Sequence, residues 1–361
     1  EKSQQKMLGI GLFFFFQIVS GAVEQIALNY DSSFSDMVVT FAVPDTTINT
    51  AECRYGNDPN NLINTAVANG VTYTLKGKTS PMLFKATMTG LTPGNNIYYY
   101  SVGSQVFGYS EVFSFKSHPG NAPNTTFFLV GDIGQTTNSE ATLNELIEAE
   151  SMLKTPSAGI VNAGDLSYAN GRDSYWDSFG NMKQVAASHI PMMTTLGNHE
   201  WFDDLQFSFT AYLNRFNNPL VDGKRELYYS YNAGLVHWVM VAGYCSEMRL
   251  TSTQPCLAPD SPQFAWLEND LATVDRDITP WVVVVFHQPY VNSNTAHSMN
   301  SEGYPMQEAI EDTLYKYKVD LVFSGHVHAY ERSCQVYKYQ CTPGAPTYIT
   351  IGDGGNAEGL A

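Results

Sequence analysis

The stretch "FSGHVHAYERS", Phe323–Ser333, sets His326 and His328 two positions apart just after the run Val319–Phe323, in a chain with only 8 histidines. Two imidazoles at i and i+2 where a strand hands over to a loop can converge on one small object, and a metal ion is the obvious one. Four other apolar runs end in similar chemistry. Asp132 follows "TTFFLVG", and Asp165 with Tyr168 closes "AGIVNAGDLSY". Asn198 and His199 close "IPMMTTLGNHE", and His287 follows "WVVVVF". Glycine stands directly before four of the five clusters, as Gly131, Gly164, Gly197 and Gly325, where a missing Cβ lets the backbone turn and a ligand approach. Oxygen and imidazole donors without a thiolate suit Mn, Fe or Zn. The donors outnumber what one ion needs. Two ions sharing a carboxylate, roughly 3.5–4 Å apart, form the clamp used for in-line displacement at phosphorus.

Such strand ends need a layered domain behind them. From "TTFFLVGDIG" onward, buried strands alternate with helical stretches: one with Leu143, Leu146 and Ile147 on one face, then "DSYWDSFGNMKQVAA", then "SPQFAWLENDLATV" with Ser261 and Pro262 at its start. "LYYSYNAG" and "LVHWVMVAG" read as a hairpin. This rhythm predicts a layered α/β domain over residues 124–361 with a largely buried central sheet. Residues 23–118 read differently. Runs such as "DMVVTFAV" and "NIYYYSVG", separated by "GNDPNN", "ANG" and "TPGNN", predict a small all-β sandwich. Residues 119–123 read as a linker.

The formal net charge of −16, from 19 Lys+Arg against 35 Asp+Glu, argues against nucleic acid and anionic membranes as partners. It leaves room for a small anionic substrate, because bound cations dominate the field inside one pocket. Lys2 and Lys6 precede the apolar run Met7 to Ala22, which reads as a signal peptide over residues 1–22, with Ser20 and Ala22 at a cleavage site. A transmembrane anchor is the competing reading of that run. A signal predicts no stable membrane association after cleavage, and an extracellular or vacuolar or lysosomal destination. That route permits disulfides. Among five cysteines the close spacings suggest Cys245 with Cys256 and Cys334 with Cys341, leaving Cys53 over. "NTT" at Asn124 is a candidate glycosylation site.

In order and spacing, "GDIG", "GDLSY", "GNHE", "VVFH" and "GHVH" resemble the five blocks of the calcineurin-like metallophosphoesterases. The tyrosine of "GDLSY" resembles the purple acid phosphatases in particular. Further likeness lies in "YYSYNAGLVHWVMV", "GHVHAYERS" and "PTYITIGDGGN". The front module resembles a fibronectin type III domain, which makes the chain similar to the large, plant-type form, and the resemblance implies a layered α/β sandwich with central mixed sheets for the catalytic domain. The resemblance implies that Asp132, Asp165, Tyr168 and His328 hold Fe(III), with Asp165 bridging. It implies that Asn198, His287 and His326 complete a second site for Fe(II), Zn or Mn. His199 would contact the substrate phosphate from outside the metal shell. His297, ten residues after His287, would assist the leaving group. The family continues beyond "GDGGN", so the catalytic domain is expected to be truncated at its C-terminus. The cysteine of "CTP", here Cys341, links subunits in plant relatives, so a homodimer competes with the intrachain loop to Cys334.

These readings predict a secreted acid phosphatase that hydrolyses small phosphomonoesters by direct attack of a metal-bound hydroxide. A phosphodiesterase or nucleotide pyrophosphatase on the same scaffold stays open. So does a secreted binding protein with a vestigial metal site.

Overall fold

The computed structural model describes residues 23–155, 157–201, 209–245, 255–295, 297 and 303–361. The expected signal segment, 1–22, lies outside them. Among the described residues no helix is long and apolar enough to cross a membrane.

The first region is a wholly antiparallel sandwich. Its strands follow the order Glu24–Tyr30, Met37–Val43, Met82–Met88, Asn64–Val71, Thr50–Gly56, Ile97–Ser104 and Phe113–Lys116, with Gly108–Tyr109 beside Ile97–Ser104. Leu28, Val39, Phe41, Phe84, Tyr100 and Phe115 fill its core. Cys53 is free and buried among them. Thr50–Gly56 largely alternates buried and less buried residues, as a strand with one wet face does. Glu24–Tyr30 is buried on nearly every residue, because the helix Asp173–Ala187 of the second region covers its other face. Ile26 N donates to Gln184 Oε1 (2.8 Å) and Tyr100 Oη to Ser188 O (2.7 Å), so the two regions are joined by hydrogen bonds as well as apolar packing. His118 closes the seam: its ring stacks on Phe34 (4.3 Å), and its Nε2 donates to Asn232 O (2.8 Å).

The second region holds two sheets, in line with the expected layered α/β sandwich with central mixed sheets. Thr126–Val130, Ser157–Asn162 and Met192–Thr194 form a parallel three-stranded sheet. The other sheet runs Tyr229–Ala233, Val236–Met240, Trp281–Val285, Leu321–Ser324, Thr347–Ile351, Tyr330–Tyr337 and Gln340–Cys341, parallel across its middle four strands. Val161, Met193, Trp238, Met240, Val283 and Phe323 pack between the sheets. Thr137–Met152 and Asp173–Ala187 cover the first sheet, and Pro262–Thr273 and Gly303–Lys316 the second. The strand Ser157–Asn162 and residues Val282 to Val285 of Trp281–Val285 are therefore dry on both faces. Each of Val282 to Val285 is buried, worth about 1.5–3 kcal/mol per side chain against exposure. The helix starts are capped as their sequences require. Thr136 and Ser139 form a reciprocal capping box, and Ser261 accepts from Phe264 N with Pro262 in the first turn. Cys245–Cys256 and Cys334–Cys341 are disulfides, the second joining adjacent strands.

Candidate metal centre

Parallel strands deliver their C-terminal ends to one edge, and here two sheets face each other with those edges aligned. Asp132, Asp165 and Asn198 come from the first sheet, and His287, His326 and His328 from the second. The side chains meet in two groups. Tyr168 Oη lies 3.2 Å from Asp132 Oδ1 and 3.1 Å from His328 Nε2. Asn198 Oδ1 lies 3.2 Å from His287 Nε2 and 3.0 Å from His326 Nδ1. Asp165 Oδ2 stands 3.0 Å from His287 Nε2, while its Oδ1 accepts from His199 N (2.8 Å). Potential donor atoms of Asp165, His287 and His326 all lie within 4.8 Å of one another.

The glycines act as their positions suggest. A Cβ on Gly197 would stand 2.1 Å from Asp165 Oδ1, one on Gly325 2.2 Å from Asp132 Oδ2, and one on Gly164 2.7 Å from His287 Nδ1. Each collides with a donor residue, so the donors occupy space that any larger residue would fill. The backbone also bends sharply at the donors. Asp132, Asp165, Tyr168 and His326 have φ of 56°, 50°, 53° and 66°, the left-handed region that side-chain-bearing residues seldom adopt.

Two imidazoles are oriented from behind. His287 Nδ1 donates to Ala163 O (2.8 Å) and His328 Nδ1 to Gly359 O (2.9 Å), which leaves each Nε2 turned into the cluster. A carbonyl behind a histidine is the usual way to fix a metal-ligating tautomer. The electrostatics are those of a site short of positive charge. Asp132 and Asp165 are essentially fully buried, and among the described residues their cationic neighbours are histidines, with no lysine or arginine in ion-pairing reach. Burial raises the Asp132 carboxyl despite His287 and His328. At Asp165 burial also opposes ionisation, but His287, His199 and His326 hold the carboxyl below its ordinary range. Burial resists charge on His287, yet Asp165 and Asp132 push it up to about 10. Burial, then Asp132 and Asp165, hold the Tyr168 phenol well above its ordinary value. Two carboxylates, a phenol, a carboxamide oxygen and three imidazoles with lone pairs aimed inward fit a pair of cations.

The remaining expected residues border this cluster. The His199 ring lies 4.0 Å from that of Tyr168, with Nδ1 2.6 Å from Asn170 Oδ1. The His297 ring lies 3.9 Å from that of His326, on the side of the Asn198 group. Asn124 is exposed, clear of the cluster. Three nearby groups escaped the sequence reading. Asn170, with φ of 49°, braces His199, and Glu358 approaches His199 Nε2 at 3.5 Å. Glu200 accepts from Leu166 N and Gly197 N, both at 2.9 Å, tying two donor loops together. Burial and the Asp165 charge push its carboxyl up to about 8. Glu200 lies inside the quoted "GNHE", which was its only signal; the other two reach the cluster through folding alone.

Comparison with known proteins follows the same lines. Residues 125–330 match the Calcineurin-like phosphoesterase family, and residues 23–117 the family described as Purple acid Phosphatase, N-terminal domain. The chain is 41% identical over 273 residues to Probable purple acid phosphatase 20 of Arabidopsis thaliana, covering 74% of this chain and 59% of that protein. It is 38% identical over 330 residues to Purple acid phosphatase 22 of the same plant, covering 90% of this chain and 70% of the relative. The structure of purple acid phosphatase PPD1 from yellow lupin (Lupinus luteus) seeds shares the fold, with a TM-score of 0.77 at 21% identity over 93% of this chain and 65% of that one. The chain thus spans about 59–70% of the length of these proteins. A binuclear metal site is typical of such proteins, and the strand-end cluster has the donors for one. From front sandwich to clustered strand ends, the chain belongs to the purple acid phosphatase family.

Proposed function

We propose that the chain is a binuclear-metal acid phosphatase acting on small phosphomonoesters. The observation that carries this is the meeting of seven metal-binding side chains from five strand ends in one buried cluster. Asp132, Tyr168 and His328 would hold Fe(III), and Asn198, His287 and His326 would hold Fe(II), Zn or Mn, with Asp165 bridging. When bound, the ions supply Lewis acidity that activates water and neutralises charge on the phosphoryl oxygens.

The chain's own residues do the rest. Ala163 O and Gly359 O keep His287 and His328 turned inward, so the cluster is arranged before substrate arrives. Asn170 holds Nδ1 of His199, which leaves Nε2 as the atom that contacts a phosphoryl oxygen. His297, beside His326, is placed to protonate the departing alkoxide. Residues 23–118 and 124–361 act as the two domains, with 119–123 between them. The disulfides and the exposed Asn124 sequon support a secretory route for the chain.

The test is turnover of p-nitrophenyl phosphate by purified protein loaded with iron and then zinc or manganese, beside bis(p-nitrophenyl) phosphate and a nucleoside diphosphate sugar. Preference for the monoester, with two metal equivalents per chain, supports the proposal. Preference for either diester, or no turnover with two metals bound, overturns it.

A further inference from the structure

Far from the metal cluster, the seam between the two regions contains a buried lysine without a counter-ion. Lys183 lies on the helix Asp173–Ala187 and is only 6% exposed. Its ammonium sits 4.7 Å from the centre of the Phe216 ring, and no carboxylate lies within ion-pairing distance among the described residues. The acids nearby are already engaged. Arg215 takes Asp177 (2.8 Å) and lies 3.8 Å from Asp173, and its other nitrogens bond Tyr73 Oη (2.7 Å) and Gln25 Oε1 (2.9 Å). Lys183 is thus the uncompensated cation of this seam. A buried charge without a partner costs several kcal/mol.

Lys183 faces a small cavity walled by both regions, with Gln25, Thr40 and Phe84 from the sandwich and Asn214 and Phe216 opposite. The wall is shaped by specific backbone features. Gln25 sits at a bulge in the pairing of Glu24–Tyr30 with Met37–Val43, with φ of 60°, and its side chain reaches across the seam. Facing it is Gly180, where a Cβ would stand 2.6 Å from Gln25 Oε1. Bulges that re-aim a side chain are commonly retained for a purpose. The free interior is about 30 Å³. One water needs roughly 10–15 Å³ on this measure, so the space admits about two waters or a small anion.

We propose that this seam is a binding site for a chloride-sized anion, held by the Lys183 ammonium between the sandwich and the catalytic region. Burial and the neighbouring Arg215 push the Lys183 amine down to about 7, so its charged form is the one that an anion would favour. The site is separate from phosphate chemistry. It ties the two regions together through the helix that begins five residues after Tyr168.

The test measures the thermal midpoint of the full chain at pH 5.5 as sodium chloride replaces sodium gluconate at constant ionic strength. At tenfold excess over half-saturation the midpoint should rise by about 2 °C and then level off. Lys183→Met should remove that rise without lowering the midpoint in gluconate, because an apolar residue of similar length replaces an unpaired charge. A wild-type midpoint indifferent to chloride overturns the proposal, as does an equal rise in Lys183→Met. Should Lys183→Met not fold, wild-type crystals soaked in bromide decide. An anomalous peak within hydrogen-bonding reach of Lys183 Nζ supports the site, and a water with no anomalous signal there overturns it.

Discussion

Gly197→Ala is the smallest change that tests whether the glycines shape the metal centre. The backbone at Gly197 lies outside the left-handed region, so alanine meets no conformational penalty there. What it meets is Asp165: the added carbon would stand 2.1 Å from Oδ1, 2.7 Å from Cγ and 2.7 Å from the backbone nitrogen. A carbon–oxygen contact needs roughly 3.3 Å, so the carboxylate must retreat by about 1 Å. That retreat breaks the 2.8 Å bond from His199 N and spoils the 3.0 Å approach to His287 Nε2. Overpacking of this kind costs about 1–3 kcal/mol of stability. Disturbing the support of a ligand typically costs about 10–100-fold in metal affinity. Since Asp165 is proposed to bridge, both ions should be affected. The assay is metal content by mass spectrometry after dialysis against a graded chelator, with Gly131→Ala as the control. The nearest atoms to a Cβ there are Ile351 O at 3.1 Å, Gly325 Cα at 3.3 Å and Ala163 Cβ at 3.4 Å, none of them on a donor residue, so that variant should keep its metals. Wild-type metal retention in Gly197→Ala would refute the idea that the missing side chain makes room for the bridging carboxylate.

Four further outcomes follow from the same geometry. His118 is held neutral in the seam, burial pushing it down to about 4 from an ordinary value near 6.5, so the unfolded chain binds its proton first. Stability from this group is complete above pH 7 and is lost as pH falls through 6.5 towards 4, by up to about 3 kcal/mol; urea titrations of His118→Phe should show a shallower acid slope than wild type. Tyr168→Phe should retain iron and lose the visible charge-transfer band of the iron-loaded protein, and an unchanged spectrum would remove the phenol from the metal. Asp165→Ala should lose both ions and Asn198→Ala chiefly one, and metal counting distinguishes these from equal single losses. His297→Ala should keep its metals and slow an alkyl phosphate far more than p-nitrophenyl phosphate, whose leaving group needs no proton; equal slowing would make His297 a positioning residue.

The cluster was legible because its chemistry repeats. Five apolar runs each end in a metal-compatible side chain, and four carry a preceding glycine whose reason is local. The layered sandwich with central mixed sheets was expected from the family resemblance, but the residue pattern alone did not assign each strand to its sheet. A strand buried on both faces, such as Ser157–Asn162, reads the same whichever sheet it joins. The helix Gly303–Lys316 was missed although Met306, Ile310 and Leu314 stand at helical spacing, because Pro305 and the polar residues between them obscure the apolar face. Asn170 and Glu358 were beyond reach for another reason. Each acts on His199 across the fold, and no spacing rule links positions so distant in the chain.

Sequence also says nothing of the left-handed backbone at Asp132, Asp165, Tyr168 and His326, and this feature bears most directly on how the site works. Each such residue costs on the order of 1–3 kcal/mol and persists only where surrounding bonds dictate it. Those bonds are present and run between loops. Asp132 N donates to Gly164 O (3.0 Å) and Gly134 N to Leu166 O (2.9 Å), fastening the first donor loop to the second. His326 N donates to both carboxylate oxygens of Asp132, at 3.0 and 2.9 Å, fastening one sheet to the other. Asn356 Nδ2 donates to Asp132 O (3.1 Å) from the far end of the chain. Such cross-links set the donor loops from the backbone, so the two packed sheets sustain the strain. The unfavourable part that remains is electrostatic: burial and, less strongly, the Asp165 charge oppose ionisation of Asp132. Cations held by these residues would supply the positive charge that favours the ionised carboxylates.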